Sequence, residues 1–161
     1  MKYAGIIYND ITAAPGLSVT FFSQGCPHRC EGCHNPETWD FDGGKEFPAQ
    51  EIENIIAGLT AQGIRRNLCI MGGEPLAEQN EFLTYMLIKS VKDKLPHTPI
   101  YIWTGYTHEE LLDRNDNRIN QILELTNYLI DGRYIKGLRD ITLDMRGSAN
   151  QRIIELHPID N

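Results

Sequence analysis

The sequence predicts an α/β protein built on an open, partial (β/α) barrel of about five or six mostly parallel strands. Short runs rich in β-branched and aromatic residues alternate with longer stretches of helical periodicity, the pattern of successive βαβ units. Glycine breaks fall directly after the short runs, at Gly25, Gly72-Gly73, Gly105 and Gly132. In parallel α/β sheets and barrels, the loops at the carboxyl ends of the strands carry the ligand. Length supplies the word partial: a complete eight-fold barrel needs about 250 residues, and this chain has 161.

Residues 17–22 form the first strand expected, a β-branched and aromatic run ending at Ser23-Gln-Gly25. A loop over about 23–45 carries three cysteines. Pro48 then opens a helix whose apolar stripe is Ile52, Ile55, Ile56 and Leu59, with Gly63 as its stop. Residues 68–71 read as a buried parallel strand. A longer helix follows, with Phe82, Leu83, Met86, Leu87 and Val91 on one side and Pro96 beyond its end. Residues 100–103 make a third strand. Thr107 and Glu110 fit a capping box for a short helix, and Ile119, Ile122 and Leu123 mark another. Residues 128–130 make a fourth strand, closed by Asp131-Gly132. One domain is expected over residues 1–161.

The net charge is −7 and the pI about 5.2. That argues against a nucleic-acid binder relying on bulk electrostatics. No run approaches the ~20 apolar residues of a membrane span. The first ten residues, with one Lys, a short apolar patch and Asp10, make a poor signal peptide. A cytoplasmic protein with no nucleic-acid or membrane partner is expected.

Three of the four cysteines crowd into Cys26-Pro-His-Arg-Cys30-Glu-Gly-Cys33, a CxxxCxxC. In a reducing compartment such clustered thiols read as metal ligands rather than a disulfide framework. Three thiolates can surround one compact inorganic centre. A four-iron cluster usually takes four cysteines, so three would leave one iron free to bind something else. A structural zinc with His28 or His34 as fourth ligand fits the spacing equally well. The second motif, Gly72-Gly-Glu-Pro75, is by itself only a tight turn before a helix. One βα unit after a CxxxCxxC, it favours a ligand pocket. Its glycines admit a ligand close to the backbone, and Glu74 places a carboxylate where an ammonium group could be held.

Together with these motifs, the segment 30–39 (CEGCHNPETW), Trp103-Thr-Gly-Tyr106, Asp131-Gly132 and the late Arg146-Gly-Ser-Ala-Asn-Gln151 resemble the radical S-adenosylmethionine (SAM) superfamily. Within it, the chain is similar to the activating enzymes of glycyl-radical proteins, above all those of anaerobic (class III) ribonucleoside-triphosphate reductases. The likeness runs from about Gly16 to Arg152. It implies that Cys26, Cys30 and Cys33 ligate three irons of a [4Fe-4S] cluster whose fourth iron chelates the amino and carboxylate groups of SAM. It implies that Gly72, Gly73 and Glu74 hold the methionyl ammonium. Reductive cleavage of SAM would give a 5′-deoxyadenosyl radical that takes a hydrogen from a glycine of the reductase large subunit. A reduced flavodoxin or ferredoxin would donate the electron. Many members carry an aromatic residue before the third cysteine, where this chain has Gly32; backbone groups of Gly32, Cys33 and His34 would then meet the adenine.

Thr104, Asp131 and Arg133 follow the third and fourth strands and could reach the SAM carboxylate or ribose, or serve only as turn residues. Cys69, inside an apolar strand, reads as core. His28 reads as a polar loop residue, and His97, His108 and His157 as surface. Trp39 and Trp103 read as core or pocket wall. Residues 133–152 carry five basic and two acidic side chains, of which Arg146 is the one singled out for function. Two other readings stand beside the first. One is an activase of another glycyl-radical enzyme such as pyruvate formate-lyase, although those look longer. The other is a non-catalytic zinc module.

Overall fold

The computed structural model describes residues 1–160. Seven strands form one sheet: β1 (Lys2–Asp10), β2 (Ser18–Ser23), β3 (Lys45–Glu46), β4 (Asn67–Gly72), β5 (Ile100–Trp103), β6 (Tyr128–Asp131) and β7 (Arg152–Glu155). Their order is β3-β1-β2-β4-β5-β6-β7. The central four, β2, β4, β5 and β6, run parallel; β1 and β7 flank them antiparallel, and β3 pairs antiparallel with β1. The four runs read from periodicity are these four parallel strands. The count of five or six is therefore too low. The first ten residues and the tail after Arg133 supply antiparallel edges, whose polar and apolar residues alternate less clearly because they are only half buried.

The helices are α1 (Gln50–Leu59), α2 (Glu81–Lys94), α3 (His108–Asp113) and α4 (Asn117–Leu125). Each crossover moves one strand further in the same direction. With a constant hand of connection, every helix must then fall on the same face. The register shows the consequence. Val19, Leu68 and Ile100 form one row across the sheet, and Phe21, Ile70, Ile102 and Leu129 another. Both rows pack against Ile55 and Leu59 of α1, Leu87 and Val91 of α2, Leu111 of α3 and Ile119 of α4. The α2 stripe is rotated from the one expected. Leu83, Thr84, Leu87, Ile88 and Val91 are buried, whereas Phe82 and Met86 face outward. The Thr107–Glu110 capping box is formed.

Among the described residues, no α-helix contributes to the cluster on the opposite face. Its residues include Cys69, Met71, Tyr101, Trp103 and Ile130, covered by Ala13 and Ala14 of the β1–β2 loop and by Met145. Towards the carboxyl ends of the parallel strands a cavity opens on this face, lined by Met71, Gly72, Trp103 and Thr104 among others. No helix among the described residues is long and apolar enough to cross a membrane.

Candidate functional site

The cysteine loop leaves β2 through Gln24 and Gly25. Gln24 is buried, and its side-chain amide donates to the carbonyls of Glu37 (3.1 Å) and Asp40 (2.8 Å), cinching the loop from inside. Gly25 has a left-handed φ of +95°, and a β-carbon there would enter the Phe41 ring, so the turn requires glycine. The backbone closes behind it, Gly25 N–H on Thr38 O (2.8 Å) and Cys26 N–H on Trp39 O (3.1 Å). Nothing in composition or periodicity marked Gln24, since only a packed loop turns its amide inward.

The carboxyl ends of the parallel strands converge on this loop around a cavity of about 550 Å³. Cys26, Cys30, Cys33, His34, Gly72, Gly73, Glu74 and Thr104 line it together, with Trp39 and Trp103 as walls. Cys69 lies fully buried in mid-strand, so the loop offers three thiols and no fourth. Burial pushes the Cys26 thiol up to about 11, against backbone N–H groups of His28 and Arg29 that oppose the shift, and it also raises Cys30. A metal must therefore displace protons to bind here.

Among the described residues, no three His, Cys, Asp or Glu side chains come close enough to grip one metal ion. A tetrahedral zinc would draw its thiolates to about 2.3 Å of a single point. Cys26, Cys30 and Cys33 all line one cavity, and the thiolates of a multi-iron cluster attach to separate irons.

Glu74 reaches the cavity wall, yet its carboxylate is already taken up by donors of the protein. Leu76 N–H (2.9 Å) and the Thr104 hydroxyl (2.8 Å) meet Oε1, and Gly105 N–H (2.7 Å) and His28 (2.8 Å) meet Oε2. The turn behind it is locked by Glu74 N–H on Gly25 O (2.8 Å) and by the buried Asn80 amide on Glu74 O (2.8 Å). His28 is a polar loop residue, as expected, but its side chain is turned inward onto Glu74.

Three expected residues stay out of the cavity lining. Asp131 is fully buried below the strand end, where it accepts from Arg152 (2.5 and 3.0 Å) and from His108 N–H at the start of α3 (2.8 Å). Arg133 turns outward to Glu110 (3.1 Å). Gly32 lies against the side chains of Tyr134 and Lys136. For Asp131 and Arg133 the reason is shared: position at a strand end fixes where a Cα lies, but a nearby opposite charge decides where the side chain faces. Arg146 does line the cavity. The residues after it bind the loop that follows β6: Gln151 accepts from Gly147 and Ser148 N–H and donates to Gly132 O (2.9 Å), while Asn150 donates to Arg133 O (2.8 Å). That network gives the 146–151 segment its polar composition.

A cavity lined by three loop thiols fits an iron–sulfur protein, and comparison with known families supplies that class. Residues 13–154 match the family model described as a 4Fe-4S single cluster domain. The chain is 37% identical over 154 residues to the anaerobic ribonucleoside-triphosphate reductase-activating protein of Vibrio cholerae, covering 95% of this chain and 97% of that one. It is 36% identical over 157 residues to the proteins of the same name from Salmonella typhimurium and Escherichia coli (strain K12), covering 97% of this chain and 99% of each. The chain belongs to the family of anaerobic ribonucleoside-triphosphate reductase-activating proteins.

Proposed function

We propose that this chain activates an anaerobic ribonucleoside-triphosphate reductase by generating a glycyl radical on its large subunit. The observation that carries the reading is the single cavity in which the three cysteines of the loop face the Gly72–Gly73–Glu74 turn, with no fourth thiol in reach. A [4Fe-4S] cluster held by Cys26, Cys30 and Cys33 supplies, when bound, the one-electron chemistry that cleaves SAM.

The chain's own residues bind, orient and shelter. Gly73 has a backbone so close to Gly25 that no side chain fits. Its carbonyl accepts no hydrogen bond among the described residues, leaving an acceptor for the methionyl ammonium beside Glu74. Trp39, Trp103, Met71 and Phe22 form apolar walls that exclude water from a reactive centre. Backbone groups of Cys33 and His34 border the adenine side, and Thr104 holds Glu74 in place.

The scaffold of this reading is one domain folded as an open (β/α) barrel, supported by the one-sided helical layer and the cavity on the bare face. The protein works in the cytoplasm, where reducing conditions keep the thiols free and a reduced flavodoxin or ferredoxin supplies the electron. The substrate is a backbone glycine: its α-carbon has no side chain to obstruct approach, and the docked reductase closes the cavity mouth.

Anaerobic reconstitution with iron and sulfide, followed by SAM, reductant and the reductase, tests this. A brown protein and a stoichiometric glycyl-radical signal in electron paramagnetic resonance are expected, and the signal is lost when the reductase glycine is replaced by alanine. A colourless protein holding zinc, or a radical that survives that replacement, refutes it.

A further inference from the structure

We propose that His28 is a positioning residue that clamps the cysteine loop to the ends of β4 and β5 through Glu74, so that loop order and cluster retention depend on the His28–Glu74 pair. Its part in cluster retention rests on the iron–sulfur reading above; its part in loop order does not.

His28 Nε2 lies 2.8 Å from Glu74 Oε2, and the two side chains are 5% and 1% exposed. A carboxylate only accepts, so Nε2 carries the donated proton. The remaining donors to Glu74 come from the β4 and β5 ends, namely Leu76, Thr104 and Gly105. His28 is the one donor from the cysteine loop. The structure makes a slot for its ring. Tyr106 meets the imidazole edge-on with centroids 4.4 Å apart, and Arg114 covers the Tyr106 ring at 4.0 Å. Gly105 leaves the space open, since a β-carbon there would stand 2.6 Å from Nε2.

The loop has reason to need a clamp. Arg29, the next residue, has a left-handed φ of 48°. Such backbone in a non-glycine residue persists only where its surroundings hold it. Among the described residues, the contact to Glu74 is the only hydrogen bond from residues 27–29 to another element. Removing it releases the segment between the first two cysteines.

The test uses the full chain as wild type, His28→Ala, His28→Gln, Glu74→Ala and the His28→Ala/Glu74→Ala double variant. Amide hydrogen exchange is measured on metal-free protein, and iron release to a chelator on protein reconstituted with iron and sulfide. His28→Ala should speed exchange across residues 28–34 by tenfold or more, leaving β4, β5 and β6 amides at wild-type rates as the control for folding. His28→Gln, whose amide can still donate to Glu74, should recover part of the protection. Iron release should be faster in His28→Ala, and no faster in the double variant than in Glu74→Ala, because the pair acts as a unit. Wild-type exchange and iron release in His28→Ala, or additive losses in the double variant, overturn the clamp. If the wild type takes up no cluster, the iron–sulfur reading fails while the exchange comparison still decides the clamp.

Discussion

Replacing Gly73 by alanine tests the contact on which the site is built. A β-carbon at Gly73 would lie 2.9 Å from the carbonyl carbon and 3.0 Å from the amide nitrogen of Gly25, and closer still to the Gly25 carbonyl oxygen. All three atoms are backbone, so no rotamer change relieves the clash and the two turns must part. Overpacking of this kind costs about 1–3 kcal/mol. Parting the turns also strains two hydrogen bonds, Gly73 N–H on Ser23 O (3.0 Å) and Glu74 N–H on Gly25 O (2.8 Å), each contributing about 0.5–1.5 kcal/mol. The sum is roughly 2–6 kcal/mol, and at about 2–4 °C per kcal/mol for a chain of this size, Tm should fall by roughly 4–24 °C. Thermal unfolding of the metal-free protein, followed by circular dichroism, is the assay. Gly5→Ala is the control, because a β-carbon there meets nothing within 4 Å. A Gly73→Ala Tm within a degree of wild type would show that the two turns do not cross as described.

Alanine at Cys26, Cys30 or Cys33 should each abolish an intact cluster after reconstitution. Cys69→Ala, at a fully buried position facing the bare side of the sheet, should lower stability and leave iron content at the wild-type value; iron and sulfide assays decide between them. Acid sensitivity should trace in part to Glu109. Hydrogen bonding to the Arg152 guanidinium holds its carboxyl at about 2, below the ordinary 4.5. A depressed folded pKa stabilises above the unfolded value and loses that stabilisation as pH falls from about 4.5 towards 2. Urea midpoints should therefore show Glu109→Gln slightly less stable than wild type at pH 6, with the gap closing by pH 2. Because this pair is solvent-exposed, the gap should also shrink with salt, and a pH-independent gap would rule the ion pair out as its source.

The parallel half of the sheet and its helices could be read from the chain because their signals are local. Residues 68–71, 100–103 and 128–130 are short apolar runs, and each is followed by a glycine break that the chain needs in order to turn at a strand end. The cysteine spacing is equally local, so Cys26, Cys30 and Cys33 could be expected together without coordinates, and the fold brings all three to one cavity. The antiparallel edges β1 and β7 could not be read this way. Their residues are half buried, and pairing with a distant neighbour makes them strands, as Leu129 opposite Ile154 shows. Side-chain direction at the site also belonged to the tertiary structure. Asp131 ends β6 and Arg133 follows it, much as Thr104 follows β5, yet Arg152 and Glu110 draw them away from the cavity while Thr104 turns to Glu74. His28 and Glu74 are 46 residues apart. Only the folded chain makes them partners, because a buried carboxylate must find its donors wherever the fold brings them.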